Sequence, residues 1–100
     1  MKTEEKKRIE KFTDLKAWQA SRMLVLCVYS STKSFPRAEE FGLTSQMKRA
    51  VVSVSSNIAE GFNRATMKDR LHFYVMAHGS LTEIQSQVML SRDLRFMDDD

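Results

Sequence analysis

The chain has 100 residues, of which 42% are hydrophobic and 29% are charged, a composition typical of a folded globular domain. Three glycines and one proline are too few for the turns of a β-sandwich or barrel, so the composition predicts long helices. The longest apolar run spans only residues 23–29, and the N-terminus is charged. We therefore expect neither a membrane span nor a secretory signal, and a cytoplasmic location in a bacterium. The single cysteine, Cys27, excludes an internal disulfide, and we expect it to be a small buried apolar residue.

The net charge of +3 is unevenly distributed along the chain. Residues 1–16 carry six Lys or Arg against four Asp or Glu, and residues 17–65 carry six against three. Residues 66–100 carry four against six. A basic excess over the first two thirds permits contact with nucleic acid without requiring it.

Residues 1–12 form a charged leader, either disordered or an extension of the first helix. We predict the first helix over about 14–34, with Thr13 as its N-cap and Pro36 ending it. Its apolar residues surround most of the helix between positions 23 and 29, which predicts packing on more than one side or an oligomer contact. Its main stripe is Leu15, Trp18, Arg22, Val25, Leu26 and Tyr29.

The second helix is predicted at about 45–62 with Thr44 as a cap, because apolar residues recur there every three or four positions. The third is predicted at about 67–95, with Thr66 as its N-cap. Residues 13–100 thus form one all-α domain, an up-and-down antiparallel helical bundle.

Polar residues follow the apolar stripe along helix 2, and a similar polar stripe lies on helix 3. In antiparallel helices these stripes meet, small residues such as Gly79 let the backbones approach, and Arg49 pairs with Glu83 in a partly buried position. The alternative is that both stripes face water. We name as the polar seam Gln46, Arg49, Ser53, Asn57, Glu60, Ser80 and Glu83.

The segment LTSQMKRAVVSVSSNIAEGFNR, residues 43–64, resembles the signature of four-helix-bundle proteins encoded in intervening sequences of bacterial large-subunit ribosomal RNA genes. The matching positions extend over about residues 13–97. They are Leu43, Gln46, Arg49-Ala50, Ser53 and Asn57-Ile58-Ala59-Glu60-Gly61, with Asp14-Leu15, Trp18-Gln19, Phe35-Pro36, Ala77, Gly79-Ser80 and Glu83 around them.

This resemblance implies an up-and-down bundle that assembles as a homo-oligomer, notably a pentameric ring, without enzymatic activity. The family is related to accessory variability proteins of diversity-generating retroelements, which are basic pentamers that engage RNA and a reverse transcriptase. Its fourth helix follows the segment equivalent to residues 94–97, so this chain is predicted to form three long helices with the fourth missing. The helices close into a three-helix bundle, the leader covers the gap, or a neighbouring chain fills it, which is the outcome we favour.

Catalysis has little support in the sequence. The two histidines, His72 and His78, are six residues apart, whereas metal ligands on one helix are three or four apart. No Gly-rich phosphate loop and no nucleophile with a positioned base is present. A DNA-binding helix-turn-helix over residues 44–65 is disfavoured because residues 45–60 contain no glycine or proline. We predict no enzyme, no metal and no cofactor.

RNA association is the first functional hypothesis. The aromatic residues Trp18, Phe73 and Tyr74 lie on core stripes, so we expect binding through the RNA backbone with little sequence preference. The alternative is an assembly scaffold that binds a partner protein and no nucleic acid. A continuous basic strip favours the first hypothesis, and an apolar groove favours the second. The candidate backbone contacts are Lys48, Arg64, Lys68 and Arg70.

Overall fold

A computed structural model describes residues 8–98 of the chain. It contains three α-helices, α1 (Lys16–Ser31), α2 (Leu43–Phe62) and α3 (Met67–Asp93), and all regular structure in the described range is helical. Short 3₁₀ turns lie at Phe12–Asp14, Thr32–Ser34 and Arg37–Glu39. The all-α prediction with three long helices is therefore confirmed. The predictions for residues 1–7 of the leader lie outside the described residues.

The start of α1 differs from the prediction. Thr13 is not its N-cap, because residues 12–14 form a separate 3₁₀ turn and Leu15 occupies the N-cap position of α1. The Asp14 carboxylate accepts hydrogen bonds from the backbone N–H groups of Glu10 and Lys11, at 3.0 and 3.1 Å. These bonds fix the chain just ahead of the helix.

The start of α2 also differs from the prediction, while the start of α3 agrees with it. Helix α2 begins at Leu43, whose N–H donates to Glu39 Oε1 at 3.0 Å. The side chain that caps α2 is therefore that of Glu39 and not that of Thr44. Thr66 caps α3 as predicted, its Oγ1 accepting from the Asp69 N–H at 3.1 Å.

Helix α2 lies in the middle of the molecule, with α1 and α3 packed antiparallel on either side of it. The two outer helices make almost no direct contact with each other. The molecule measures 51 × 37 × 17 Å, and its smallest dimension is less than the thickness of two stacked helices, each about 10–12 Å across with side chains. Its radius of gyration of 16.3 Å exceeds the roughly 13 Å of a compact domain of this length. The described chain is thus a single layer of helices.

The core lies where the end of α1 and the end of α3 meet the beginning of α2. Its buried apolar residues are Val28, Phe35, Met47, Ala50, Val51, Val54 and Ile84. After α3 the chain turns back, and Phe96 packs on Phe35 with ring centroids 5.6 Å apart. Ser91 is fully buried and donates to the Gln87 carbonyl at 2.7 Å. One end of the layer is therefore closed by its own side chains.

The buried stripe of α1 agrees with the prediction only in part. Its half-buried members are Leu15, Trp18 and Val25. Ser21 and Val28 are buried, whereas Met23 and Leu26 are 63% and 57% exposed. Cys27, expected to be buried, is exposed. The reason is that α1 packs against α2 alone, so one narrow stripe is covered and the rest of its apolar surface faces outward.

Candidate functional site

The first candidate surface is an apolar groove between α1 and α3, with α2 as its floor; we call it the front groove. It has a volume of about 440 Å³ and lies at the end of the layer where α1 begins, opposite Phe35 and Phe96. Its lining is almost wholly apolar, and one histidine takes part. The lining residues are Leu15, Ala17, Val54, Ile58, Tyr74, Ala77, His78 and Leu81.

The second candidate surface is a smaller polar notch between α2 and α3. Its volume is about 210 Å³, and it is lined by Gln46, Arg49, Ala50, Ser53, Ser80 and Glu83. The polar stripes of the two helices meet here, because Ser53 Oγ and Ser80 Oγ are hydrogen-bonded at 2.9 Å. Asn57 Nδ2 donates to both the carbonyl and Oγ of Ser53, at 2.9 and 3.0 Å.

Arg49 and Glu83 face this notch from opposite helices. The expectation that both are partly buried is wrong, since both are exposed, and no ion pair joins them in the described part of the chain. Glu83 Oε2 instead accepts a hydrogen bond from Gln87 Nε2 at 3.2 Å. Asn57 and Glu60, the other members of the polar seam, do not line the notch, and Glu60 pairs with Arg64.

Two of the candidate RNA contacts hold the turn between α2 and α3. Arg64 Nη2 lies 2.8 Å from Glu60 Oε2, and its guanidinium carbon lies 4.6 Å from the centroid of the Phe73 ring. Arg70 Nε donates to the Arg64 carbonyl at 2.9 Å. Both side chains are half-buried, so their first role is to stabilise the turn.

The other two candidate contacts lie apart. Lys48 is half-buried with its Nζ 4.9 Å from the centroid of the Tyr29 ring, near the beginning of α2. Lys68 is exposed in the first turn of α3, at the opposite end of α2. At 1.5 Å per residue the two sites are about 20 Å apart along α2. The four residues therefore do not form one continuous basic strip.

Phe41 is an exposed aromatic residue that the sequence analysis did not identify. It is 91% exposed in the connection just before α2. Its position between Glu40 and Gly42, outside every predicted helical stripe, was the signal that could have indicated its exposure. Tyr29, assigned to a core stripe, is also exposed at 40%, although Lys48 lies against its ring.

Residues 8–98 contain no cluster of three or more His, Cys, Asp or Glu side chains arranged to hold a metal ion. His72 is exposed and lies edge-on to the Phe73 ring, with centroids 5.4 Å apart, while His78 borders the front groove. None of the described helices combines the length and apolar character of a membrane-spanning segment.

These features define a small all-α protein whose described surface offers an apolar groove and a polar notch. Residues 13–100 match the family of 23S rRNA-intervening sequence proteins, and the chain belongs to that family. The match includes the segment 43–64 and confirms the resemblance drawn from it. No match was found among curated proteins.

Proposed function

We propose that the protein is a non-enzymatic subunit of a homo-oligomer in which copies of the chain cover one another's apolar surface. The observation that carries this proposal is the single layer of helices, only 17 Å thick. Stable domains pack two or more layers around a core, because each helix must bury its apolar stripe against something. A second layer supplied by another copy fulfils that requirement.

The chain offers two different apolar surfaces for such an assembly. One is the front groove, and the other is the outer stripe of α1, formed by Met23 and Leu26 on the side facing away from α2. No charged residue interrupts α1 between Arg22 and its end at Ser31. When two different patches of one chain meet, the contact is head-to-tail and closes into a ring or extends into a filament. We propose the ring, with five copies as the family resemblance implies, in a bacterial cytoplasm.

Sedimentation velocity at micromolar concentration tests this assembly. We expect a mass several times the 11.6 kDa of one chain, and five times that mass for a pentamer. Leu26→Glu should reduce the mass to that of one chain, because a charge buried at the contact is costly. The matched control is Ser56→Glu, at an exposed position of α2, which should leave the mass unchanged. A sharp wild-type peak at 11.6 kDa that binds no apolar dye contradicts the proposal.

RNA association is the second candidate function. Its support is the membership of a family named for 23S rRNA intervening sequences, together with the net charge of +3. With Arg64 and Arg70 engaged in the turn, exposed cations such as Lys68 are the better phosphate contacts. A ring repeats each cation in every copy, which strengthens a weak contact through avidity. A scaffold that binds a partner protein and no nucleic acid remains the alternative.

The salt dependence of RNA binding separates these two functions. We expect single-stranded RNA to be retained at low salt, with log affinity falling linearly as log salt rises. Lys68→Gln should make that slope shallower by roughly one for each engaged phosphate. The control is Lys33→Gln, beyond the end of α1 and away from the α2–α3 turn. No retention of RNA at low salt favours the scaffold.

A further inference from the structure

We infer that the polar notch binds the base of an unpaired guanine nucleotide in RNA. This inference rests on the proposed RNA association and adds base selectivity to it. The notch brings a guanidinium and a carboxylate to the same small cleft from two helices, Arg49 from α2 and Glu83 from α3. Because no ion pair joins them in the described chain, each retains hydrogen-bonding capacity for a ligand.

The walls of the notch are held in place by neighbouring side chains. Gln87 is only 5% exposed, and its Nε2 donates to Glu83 Oε2 at 3.2 Å, so a buried group orients the carboxylate. Ser53 accepts from Asn57 Nδ2 and shares a hydrogen bond with Ser80. A shared bond between two hydroxyl groups uses one of their two hydrogens, which leaves the other free to donate to a ligand.

Guanine has the edge chemistry that this arrangement fits. Its O6 and N7 are adjacent acceptors, and bidentate binding of arginine to them is the commonest specific contact to this base. Its N1–H and N2–H₂ groups are adjacent donors, which a carboxylate accepts. Adenine, cytosine and uracil do not present this combination of paired donors beside paired acceptors.

The size and position of the notch agree with a single base. Its volume of about 210 Å³ lies below the ~300 Å³ at which pockets for whole small molecules begin, so it suits one ring system. Gln46, Arg49 and Glu83 are exposed at its mouth, so an unpaired base can enter from solvent. Sequence-specific recognition of RNA commonly reads unpaired bases along these edges.

The test compares single-stranded RNA hexamers by fluorescence anisotropy at one salt concentration. One hexamer has a guanine among adenines; the others carry inosine or 7-deazaguanine at that position. Inosine lacks the N2 amino group, which would donate a hydrogen bond to the Glu83 carboxylate. 7-Deazaguanine lacks N7, which would accept a hydrogen bond from the Arg49 guanidinium. We expect the guanine hexamer to bind at least about fivefold more tightly than either analogue.

Two variants assign these differences to the notch. Glu83→Ala should abolish the preference for guanine over inosine, and Arg49→Ala should abolish the preference over 7-deazaguanine, because alanine offers neither an acceptor for N2–H₂ nor a donor for N7. The control is Glu40→Ala, an equal charge change at an exposed position before α2, which should preserve both preferences. Preferences that survive both variants overturn the inference.

Failure of this inference is distinguishable from failure of RNA association. If wild-type protein binds all hexamers equally, the notch does not read guanine, while RNA association through the backbone stands. If it binds none of them at low salt, both proposals are wrong.

Discussion

At the scale of single residues, Arg95 shows how the end of α3 is built. It is the one non-glycine residue with a positive φ, 64°, among residues 8–98. The Phe96 N–H bonds to the Ser91 carbonyl at 2.8 Å and the Arg95 N–H to the Arg92 carbonyl at 2.9 Å, which is a Schellman motif. This motif turns the chain back and brings Phe96 to Phe35.

Arg95→Gly should raise the free energy of unfolding by up to about 1 kcal/mol. The left-handed conformation costs a residue with a side chain roughly 1–2 kcal/mol, and the greater freedom of glycine in the unfolded chain offsets part of that gain. Urea denaturation of Arg95→Gly beside Arg95→Ala measures the effect. The alanine control loses the same charge but keeps the conformational cost, so equal stabilities would contradict the prediction.

Gln87 has a buried side-chain oxygen, Oε1, without a protein hydrogen-bond partner in the described chain. An unsatisfied buried acceptor costs about 1–3 kcal/mol, and an apolar group of similar shape avoids that cost. Gln87→Met should therefore raise the free energy of unfolding by about 1 kcal/mol. It should also weaken guanine selectivity, because Glu83 loses its orienting bond. Gln85→Met, at an exposed position of α3, should change neither property; a less stable Gln87→Met variant would contradict this account.

At the scale of helices, Gly61 sets the contact between α2 and α3. A Cβ at this buried position would lie 2.8 Å from Tyr74 Cε1 and 3.1 Å from Phe73 Cβ. Gly79, which the sequence suggested for close approach, has no such atom within 4 Å and is exposed. A side chain at position 61 would therefore collide with α3, whereas a side chain at position 79 would point into open space.

Alanine substitutions at these glycines should change stability in opposite directions. Gly61→Ala should lower the free energy of unfolding by about 1–3 kcal/mol, because the helices must separate or the Tyr74 ring must move. Gly79→Ala should raise it by about 0.5–1 kcal/mol, because alanine is the better helix former where nothing obstructs its methyl group. Thermal unfolding followed by circular dichroism measures both, and each variant is the control for the other. A shift of equal sign in both would contradict the assignment of the close contact to Gly61.

The helices themselves were predictable from the sequence, since the spacing of apolar residues on α2 extends over five turns and Thr66, followed three residues later by Asp69, is a recognisable if weaker start signal for α3. The buried stripe of α1 was predictable only in part, because a helix that is apolar nearly all round does not reveal which side meets its neighbour. The roles of Arg64 and Arg70 were also hidden. An arginine that binds phosphate and one that caps a carbonyl look identical in sequence, and only the turn geometry distinguishes them.

The meeting of the polar stripes at Ser53 and Ser80, with Arg49 and Glu83 at the same notch, could be proposed from spacing, but the absence of an ion pair between Arg49 and Glu83 could not. Their distance depends on how far apart α2 and α3 lie at that level, which is set by contacts such as Gly61 against Tyr74. Spacing places residues on a helix face and leaves the distance between two faces undetermined.

At the scale of the whole molecule, the single layer of helices ties the stability of the chain to the proposed assembly. If another copy covers the front groove, folding and association are linked, and the unfolding temperature rises with protein concentration. A tenfold increase in concentration adds up to about 1.4 kcal/mol per association step, which for a chain of this size shifts the midpoint by on the order of 5 °C. A monomeric three-helix protein shows no such dependence.

Leu81→Glu tests this linkage at the front groove itself. Leu81 lines the groove and is partly exposed, so the glutamate reaches solvent in a single chain but is buried at a contact between chains. Differential scanning calorimetry over a hundredfold range of concentration should show a rising midpoint for the wild-type protein and a constant one for Leu81→Glu. Thr82→Glu, at the next position of α3, which is exposed and does not line the groove, should behave as wild type. A midpoint independent of concentration in wild-type protein would mean that one layer of helices is stable alone, and the front groove would then be free for a partner other than a second copy.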